Sequence, residues 1–386
     1  MADQPHALYP CVRIGQGALE RIGDMASELG TRALLVTHLP GRFTATGIVE
    51  RTERLLRMAG VESARYGVEP ECAIPTYDTA ASMCRDTGCD LVIGLGGGSA
   101  LDAAKGIAIM ATHQGSIRDY QMGEATLEHP SLPVIAVPTT AGTGSEVSRV
   151  VVVGNQELRI KKSISDSRLI PRAAILDPEL CLPLAPDLTC STGIDALSHA
   201  LESFVSLNAT RSTKAAALWA FELIGRSLQA AVADGQNITA RRDLLFASYM
   251  AGLSLQAGVG AAHILAQPVS AVTGLSHSLA IAVLLPHVVR ANLEHATQGY
   301  ASAARALSPS RKLYEDGSRD EAAGIISAVK RFGEAGGLPS RFRDAGVSQG
   351  DLEDILETAL RWQMHIQSNP RPVDRSMLRA ILQAAY

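Results

Sequence analysis

Four side chains between positions 195 and 277 have the chemistry of metal ligands. Asp195 and His199 fall in Thr192-Gly-Ile-Asp-Ala-Leu-Ser-His199, while His263 and His277 bracket a second, mostly apolar segment. Taken singly, a histidine in an apolar stretch is more often a hydrogen-bonded core residue than a ligand. Together they make a stronger case. A spacing of i, i+4 sets Asp195 and His199 one above the other on one helical face, which is how a helix offers two ligands at once. The remaining ligands must come from another segment.

A second kind of chemistry lies upstream. The apolar run Leu91 to Gly94 leads into Gly94-Leu-Gly-Gly-Gly-Ser99 and then a helical pattern through Lys105. Glycines let the backbone approach a phosphate closely, and the following helix turns its amides and positive dipole end toward the anion. Such turns also serve only to pack a strand on a helix. A second turn, Pro138-Thr-Thr-Ala-Gly-Thr-Gly-Ser-Glu146, follows another apolar run and carries three Thr hydroxyls and one Ser hydroxyl. Two cradles suggest one dinucleotide, the first holding pyrophosphate and the second the ribose and nicotinamide side. A plain Ser/Thr-rich loop is the alternative for the second.

The elements needed to position these groups can be read from periodicity. Residues 33–37, 90–94, 133–138 and 150–153 read as buried strands, continuous in apolar character, alternating with helical stretches at 47–58 and 78–87. A parallel sheet covered on both faces is expected. Pro183 and Pro186 mark a boundary. Beyond it the segments 194–206, 213–232, 240–257, 261–271, 278–293, 320–336 and 350–366 are alanine-rich and helical in period. The reading is therefore an α/β domain that carries both dinucleotide turns at 1–182 and an all-helical domain at 183–386. The polar stretch 308–321 reads as a surface excursion between helices.

Composition limits the function. A chain of 386 residues suggests two cores, and a formal charge of −4 argues against nucleic-acid or membrane-surface partners, which want a basic face. The amino terminus shows no secretory pattern and no apolar run reaches 18 residues, so a cytoplasmic protein is expected. The six cysteines form no CxxC pair and are expected to be reduced, structural thiols.

These segments resemble the iron-containing, or group III, alcohol dehydrogenases. The resemblance rests on Gly96 to Lys105, Pro138 to Glu146, Asp177-Pro178, Gly193 to His199 with Glu202, His263 to His277, Leu285-Pro-His287 and Asn369-Pro-Arg371, in the family's order. It implies a dehydroquinate-synthase-like fold, with a metal in the cleft between a Rossmann-like and a helical domain. It also implies metal ligation by Asp195, His199, His263 and His277. Cofactor contacts are implied at Gly96, Gly97, Gly98, Ser99, Asp102, Thr139, Thr140, Thr143, Ser145 and Lys161. Three imidazoles and one carboxylate, with no thiolate, suit Fe(II), or Zn(II) as the alternative.

Two positions depart from the family pattern. Where an Asp is usual after the second strand, this chain has His38, with Arg42 nearby; an acid there would repel a 2′-phosphate, so discrimination against NADP should weaken. NAD or NADP is expected, leaning to NADP or dual use, unless His38 is only a solvent-facing loop residue. Where a His is usual four residues after the third ligand, this chain has Gln267, which hydrogen-bonds but carries no proton at neutral pH. It is the one candidate catalytic side chain. The expected activity is a metal-dependent NAD(P) oxidoreductase acting on a small alcohol or aldehyde, as a homodimer or higher homo-oligomer. The alternatives are a maleylacetate-reductase-like or lyase relative on the same fold, and a dinucleotide-binding protein without turnover. Arg149 is either a contact for an anionic substrate or a surface residue.

Overall fold

A computed structural model describes residues 10–39, 46–308, 317–361 and 367–386. Arg42, most of the polar excursion at 308–321 and the end of the expected helix 350–366 lie outside them. The described chain forms two compact units. The first holds Ser145–Gln156 and Lys162–Pro183 together with the chain up to Thr139; the second holds Leu184–Tyr386 together with the short segments Thr140–Gly144 and Glu157–Lys161.

The first unit is built on a six-stranded parallel sheet in the order β1-β8-β5-β4-β2-β3. These strands are β1 (Cys11–Ile14), β2 (Arg32–His38), β3 (Glu62–Val68), β4 (Leu91–Gly96), β5 (Val134–Pro138) and β8 (Ala173–Leu176). The continuous apolar runs are explained by burial on both faces. Leu34, Val36, Val92 and Val134 enter one core with Tyr77 and Ile107. Their neighbours Leu35, Ile93, Leu95, Ile135 and Val137 enter the other, with Ile22, Val49 and Leu56. From β2 the chain runs outward to β3 and then returns to β4 on the other side of β2. That reversal opens a crevice at the carboxyl ends of β2 and β4, the usual ligand position in such sheets.

One strand expectation fails. Residues 150–153 do not join the parallel sheet: β6 (Val150–Asn155) pairs with β7 (Ile160–Ser165) in a separate two-stranded sheet. Its residues alternate half-buried and buried. Four consecutive valines show no such alternation in sequence, so a one-sided strand looks like a two-sided one.

The second unit is helical. Its centre is Pro186–Val205, buried at every position from Thr189 to Phe204, as expected for a helix surrounded on all sides. Around it stand Arg211–Ala233, Ile238–Ser254, Ala261–Thr273, His277–Asn292 and Arg319–Ala335, close to the expected ranges. Thr297–Leu307 and Arg375–Ala385 are further helices that the periodicity did not single out. Small residues allow tight packing: a Cβ on Gly193 would stand 2.5 Å from Leu228 Cδ1. None of the six cysteines is in a disulfide, and five of them are buried. No single helix among the described residues is long and apolar enough to cross a membrane.

Candidate metal centre and dinucleotide turns

The first glycine turn sits at the crevice mouth. Gly97 precedes the helix Gly98–Met110, and its amide donates to His38 Nε2 at 3.3 Å. A Cβ on Gly96 would approach Ala100 Cβ to 2.7 Å and the His38 ring to about 3 Å, so this path is open only to glycine. Accepting at Nε2 leaves the His38 proton on Nδ1, and burial pulls its pKa below the usual value. His38 thus lies against the turn itself. Ser99 Oγ accepts from the Glu71 amide at 3.1 Å.

Asp102, Lys105 and Ser145 form a closed knot in this unit. Ser145 Oγ donates a very short hydrogen bond to Asp102 Oδ1, and the Val152 amide donates to Oδ2 at 2.9 Å. Lys105, 1% exposed, donates to the Ser145 carbonyl and Ser148 Oγ at 3.1 Å each and to the Val150 carbonyl, and lies 3.1 Å from Asp102 Oδ1. Burial lowers its pKa, and Asp102 opposes that shift. Beside it Glu146 is buried with Oε1 lacking a partner among the described residues, and burial raises its pKa to about 7. The Thr139 amide donates to the Gly96 carbonyl at 2.9 Å, tying the starts of the two turns together. Neither Lys105 nor Glu146 was singled out from sequence as a site residue. Arg149 is exposed.

In the helical unit the four expected ligands converge. Asp195 Oδ1 stands 3.8 Å from His199 Nε2, 3.9 Å from His263 Nε2 and 3.8 Å from His277 Nε2. The ligand atoms of Asp195, His263 and His277 all lie within 4.8 Å of one another. The rings of His199 and His263 stack at 4.6 Å between centroids, and those of His263 and His277 tilt at 5.3 Å. Asp195, His199 and His263 are buried and His277 is half-buried.

Two of the rings are fixed from behind. His199 Nδ1 meets the Gly142 carbonyl at 3.2 Å, and His263 Nδ1 meets Glu202 Oε2 at 2.7 Å. A donor role for each Nδ1 turns the Nε2 lone pair toward Asp195. A Cβ on Gly142 would come within 2.8 Å of Thr192 Cβ, so glycine is what lets that carbonyl reach the ring. The sequence signal for Glu202 is its place at i+7 from Asp195, on the same helical stripe as His199.

Burial sets the electrostatics. It raises the Asp195 pKa far above the carboxylate range, with Glu202 adding to the effect, and lowers that of His199 to about 4. His277 is pushed well down by burial, then by His263, Lys161 and His199. Lys161 therefore lies within electrostatic reach of His277, and burial lowers its own pKa to about 8. A buried carboxylate oxygen with no hydrogen-bond partner among the described residues, faced by three ring nitrogens, is costly alone and favourable around a divalent cation. These residues fit a metal. Gln267 is half-buried, one turn beyond His263 on the same helix. Thr140 and Thr143 are half-buried in the segment that belongs to this unit.

The family described as iron-containing alcohol dehydrogenase matches residues 10–178, and the one described as Fe-containing alcohol dehydrogenase family, C-terminal, matches residues 189–386. The chain is 37% identical to a 1,3-propanediol dehydrogenase from Klebsiella pneumoniae, over 96% of both chains. It is 35% identical to an NAD-dependent methanol dehydrogenase from Bacillus methanolicus, over 94% of both. A crystal structure of 1,3-propanediol oxidoreductase superposes over 100% of both chains with a TM-score of 0.92 and 36% identity. The chain belongs to the iron-containing alcohol dehydrogenase family and is a metal-dependent, nicotinamide-linked oxidoreductase that interconverts an alcohol with its carbonyl counterpart.

Proposed function

We propose that Asp195, His199, His263 and His277 hold the catalytic metal, Fe(II) or alternatively Zn(II), and that the two glycine-containing turns hold the dinucleotide. The observation that carries this reading is the single Asp195 oxygen faced by three imidazole Nε2 atoms at 3.8–3.9 Å. A divalent cation held there supplies Lewis acidity to an alcohol or carbonyl oxygen, and the nicotinamide supplies the hydride chemistry.

The protein's own part is position and charge. The helix beginning at Gly98 directs its positive end to the pyrophosphate, with Gly96, Gly97, Gly98 and Ser99 lining the approach. Asp102 and Ser145 keep the second turn registered on that helix. Thr139, Thr140, Thr143 and Lys161 offer donors to the ribose and nicotinamide end. Gln267 would orient the substrate oxygen by hydrogen bonding and carries no proton itself, so the alcohol proton must leave by a route other than this side chain. With no acid at position 38, a 2′-phosphate meets no like charge there, so the cofactor is NAD or NADP, leaning to NADP or dual use. We place the protein in the cytoplasm as a homodimer or higher homo-oligomer, the latter checked by sedimentation.

The test is metal content, by mass spectrometry, of Fe(II)- or Zn(II)-loaded protein. About one ion per chain is expected in the wild type and none in His263→Ala. An unchanged content in the variant would remove the ligand assignment.

A further inference from the structure

The helix Ala261–Thr273 that presents His263 has an unusual start. Its N-cap residue, Gly260, has no side chain to satisfy the first amides, and every helix leaves such amides without internal partners. Two side chains from elsewhere in the helical unit take them instead. Glu202 accepts from the Gly260 amide through Oε2 at 2.8 Å and from the Ala262 amide through Oε1 at 2.7 Å. Asn369 Oδ1 accepts from the Ala261 amide between them at 3.2 Å. Gly260 is required by this crowding, since a Cβ there would meet Asn369 Oδ1 at 2.7 Å and Glu202 Oε1 at 3.0 Å.

Glu202 does one thing that Asn369 does not. The same Oε2 that holds the Gly260 amide receives His263 Nδ1 at 2.7 Å. Backbone amides only donate, so both Glu202 oxygens accept; these bonds favour the carboxylate against the effect of burial, and to a carboxylate the ring is joined by an Nδ1–H donor. His263 then has its lone pair on Nε2, the atom 3.9 Å from Asp195 Oδ1. An imidazole in the other tautomer would point a proton at the site and could not ligate there.

We infer that Glu202 is a positioning residue of the metal centre: it caps the helix of His263 and fixes the tautomer in which that histidine binds a divalent cation. It is buried, and its oxygens lie on the Gly260 and Ala262 amides and the His263 ring, so it acts through that histidine. Its negative charge also raises the basicity of the ring and offsets the charge of a bound cation. Asn369 gives the same helix turn a hydrogen bond with no charge and no hold on the ring, so it serves as the internal control. This inference rests on the ligand assignment of the preceding subsection.

The experiment measures the Zn(II) dissociation constant, by chelator competition, and the melting temperature of the metal-free protein for wild type, Glu202→Gln, Asn369→Ala and Asp195→Ala. Glu202→Gln keeps side-chain volume and should weaken Zn(II) binding about 10- to 100-fold, the range for lost carboxylate–histidine partners. Asn369→Ala should lower the melting temperature yet leave binding within about threefold. Binding by Glu202→Gln within threefold of wild type, or losses in both variants that merely follow their melting temperatures, would overturn the proposal. Asp195→Ala separates the two layers. If it loses Zn(II) while Glu202→Gln keeps it, only the role of Glu202 falls; if it keeps Zn(II), the ligand assignment falls as well. A measurement without variants guards against misfolding: in 15N-histidine-labelled, metal-free wild type, His263 should carry its proton on Nδ1, and a proton on Nε2 would refute the inference.

Discussion

Asp102 and Asp195 are carboxylates beside basic groups, one in each compact unit, and their surroundings treat them in opposite ways. Around Asp102 the protein completes the bonding: Ser145 and Val152 donate to its two oxygens and the Lys105 ammonium lies 3.1 Å away. Around Asp195 it does not. Oδ1 is buried with no donor among the described residues, and three ring nitrogens face it. The first arrangement is a fastener, because every atom is used by the protein itself. The second keeps its atoms for a cation, and its cost is met only on binding. Resemblance to the family assigns Asp102 to the cofactor and Asp195 to the metal; the geometry adds that the oxygens of the first are taken up by the protein itself and that an oxygen of the second is not.

The largest effect expected from breaking this contrast is in Asp195→Ala. Losing Lewis acidity worth several kcal/mol should lower kcat/KM by about 10³-fold or more, with metal content falling in parallel. Steady-state kinetics with measured metal occupancy is the check, and activity without metal would dissolve the contrast. Asp102→Ala should do the reverse. It strips the buried Lys105 of its acidic partner and should cost about 3 kcal/mol in urea unfolding, while the loaded metal content stays that of the wild type.

Glu146 sharpens the comparison, since it too is a buried acid with an oxygen lacking a partner among the described residues. Burial raises its pKa from 4.5 to about 7. The folded state therefore holds the proton more tightly than the unfolded chain, and ionisation weakens the fold as pH rises from about 5 to above 7. Glu146→Gln should leave stability little changed at pH 5 and raise it by about 2 kcal/mol at pH 8. Equal effects at both pH values would show that Glu146 is not held as the acid, and lost metal would place it with Asp195.

Smaller effects belong to the two departures. His38→Asp restores an acid beside the first turn and should shift the NAD to NADP ratio of kcat/KM toward NAD by about fivefold, roughly 1 kcal/mol. An unchanged ratio would mean that the adenosine end is read elsewhere. Gln267→His should change the rate at neutral pH by less than about threefold and add a titrating limb between about pH 5 and 8. A pH profile identical to wild type would show that even a proton-carrying side chain at position 267 lies outside the proton path.

The sheet strands β2, β4 and β5 were legible because they are buried on both faces and so read as unbroken apolar runs. β1 and β3 were not, since most of their residues are exposed or half-exposed and the pattern dissolves into polar side chains. β6 was read as a strand but placed in the wrong sheet, for want of any alternation among four valines. In the site, the ligand types and the i, i+4 spacing were visible from the start. What orients them was not: the Gly142 carbonyl belongs to a backbone, Asn369 reaches the Ala261 amide from 108 residues away, and Glu202 acts through the helix carrying His263. Side-chain identity can be read along a chain, whereas a hydrogen bond across 108 positions becomes readable only once the chain has folded.

The most direct test of the metal centre is anomalous diffraction from crystals of Fe(II)- or Zn(II)-loaded protein, recorded on both sides of the metal absorption edge. The expected result is one peak about 2.0–2.2 Å from an Asp195 carboxylate oxygen and from Nε2 of His199, His263 and His277. A peak elsewhere, or a loaded and active crystal with none at these four atoms, would contradict it.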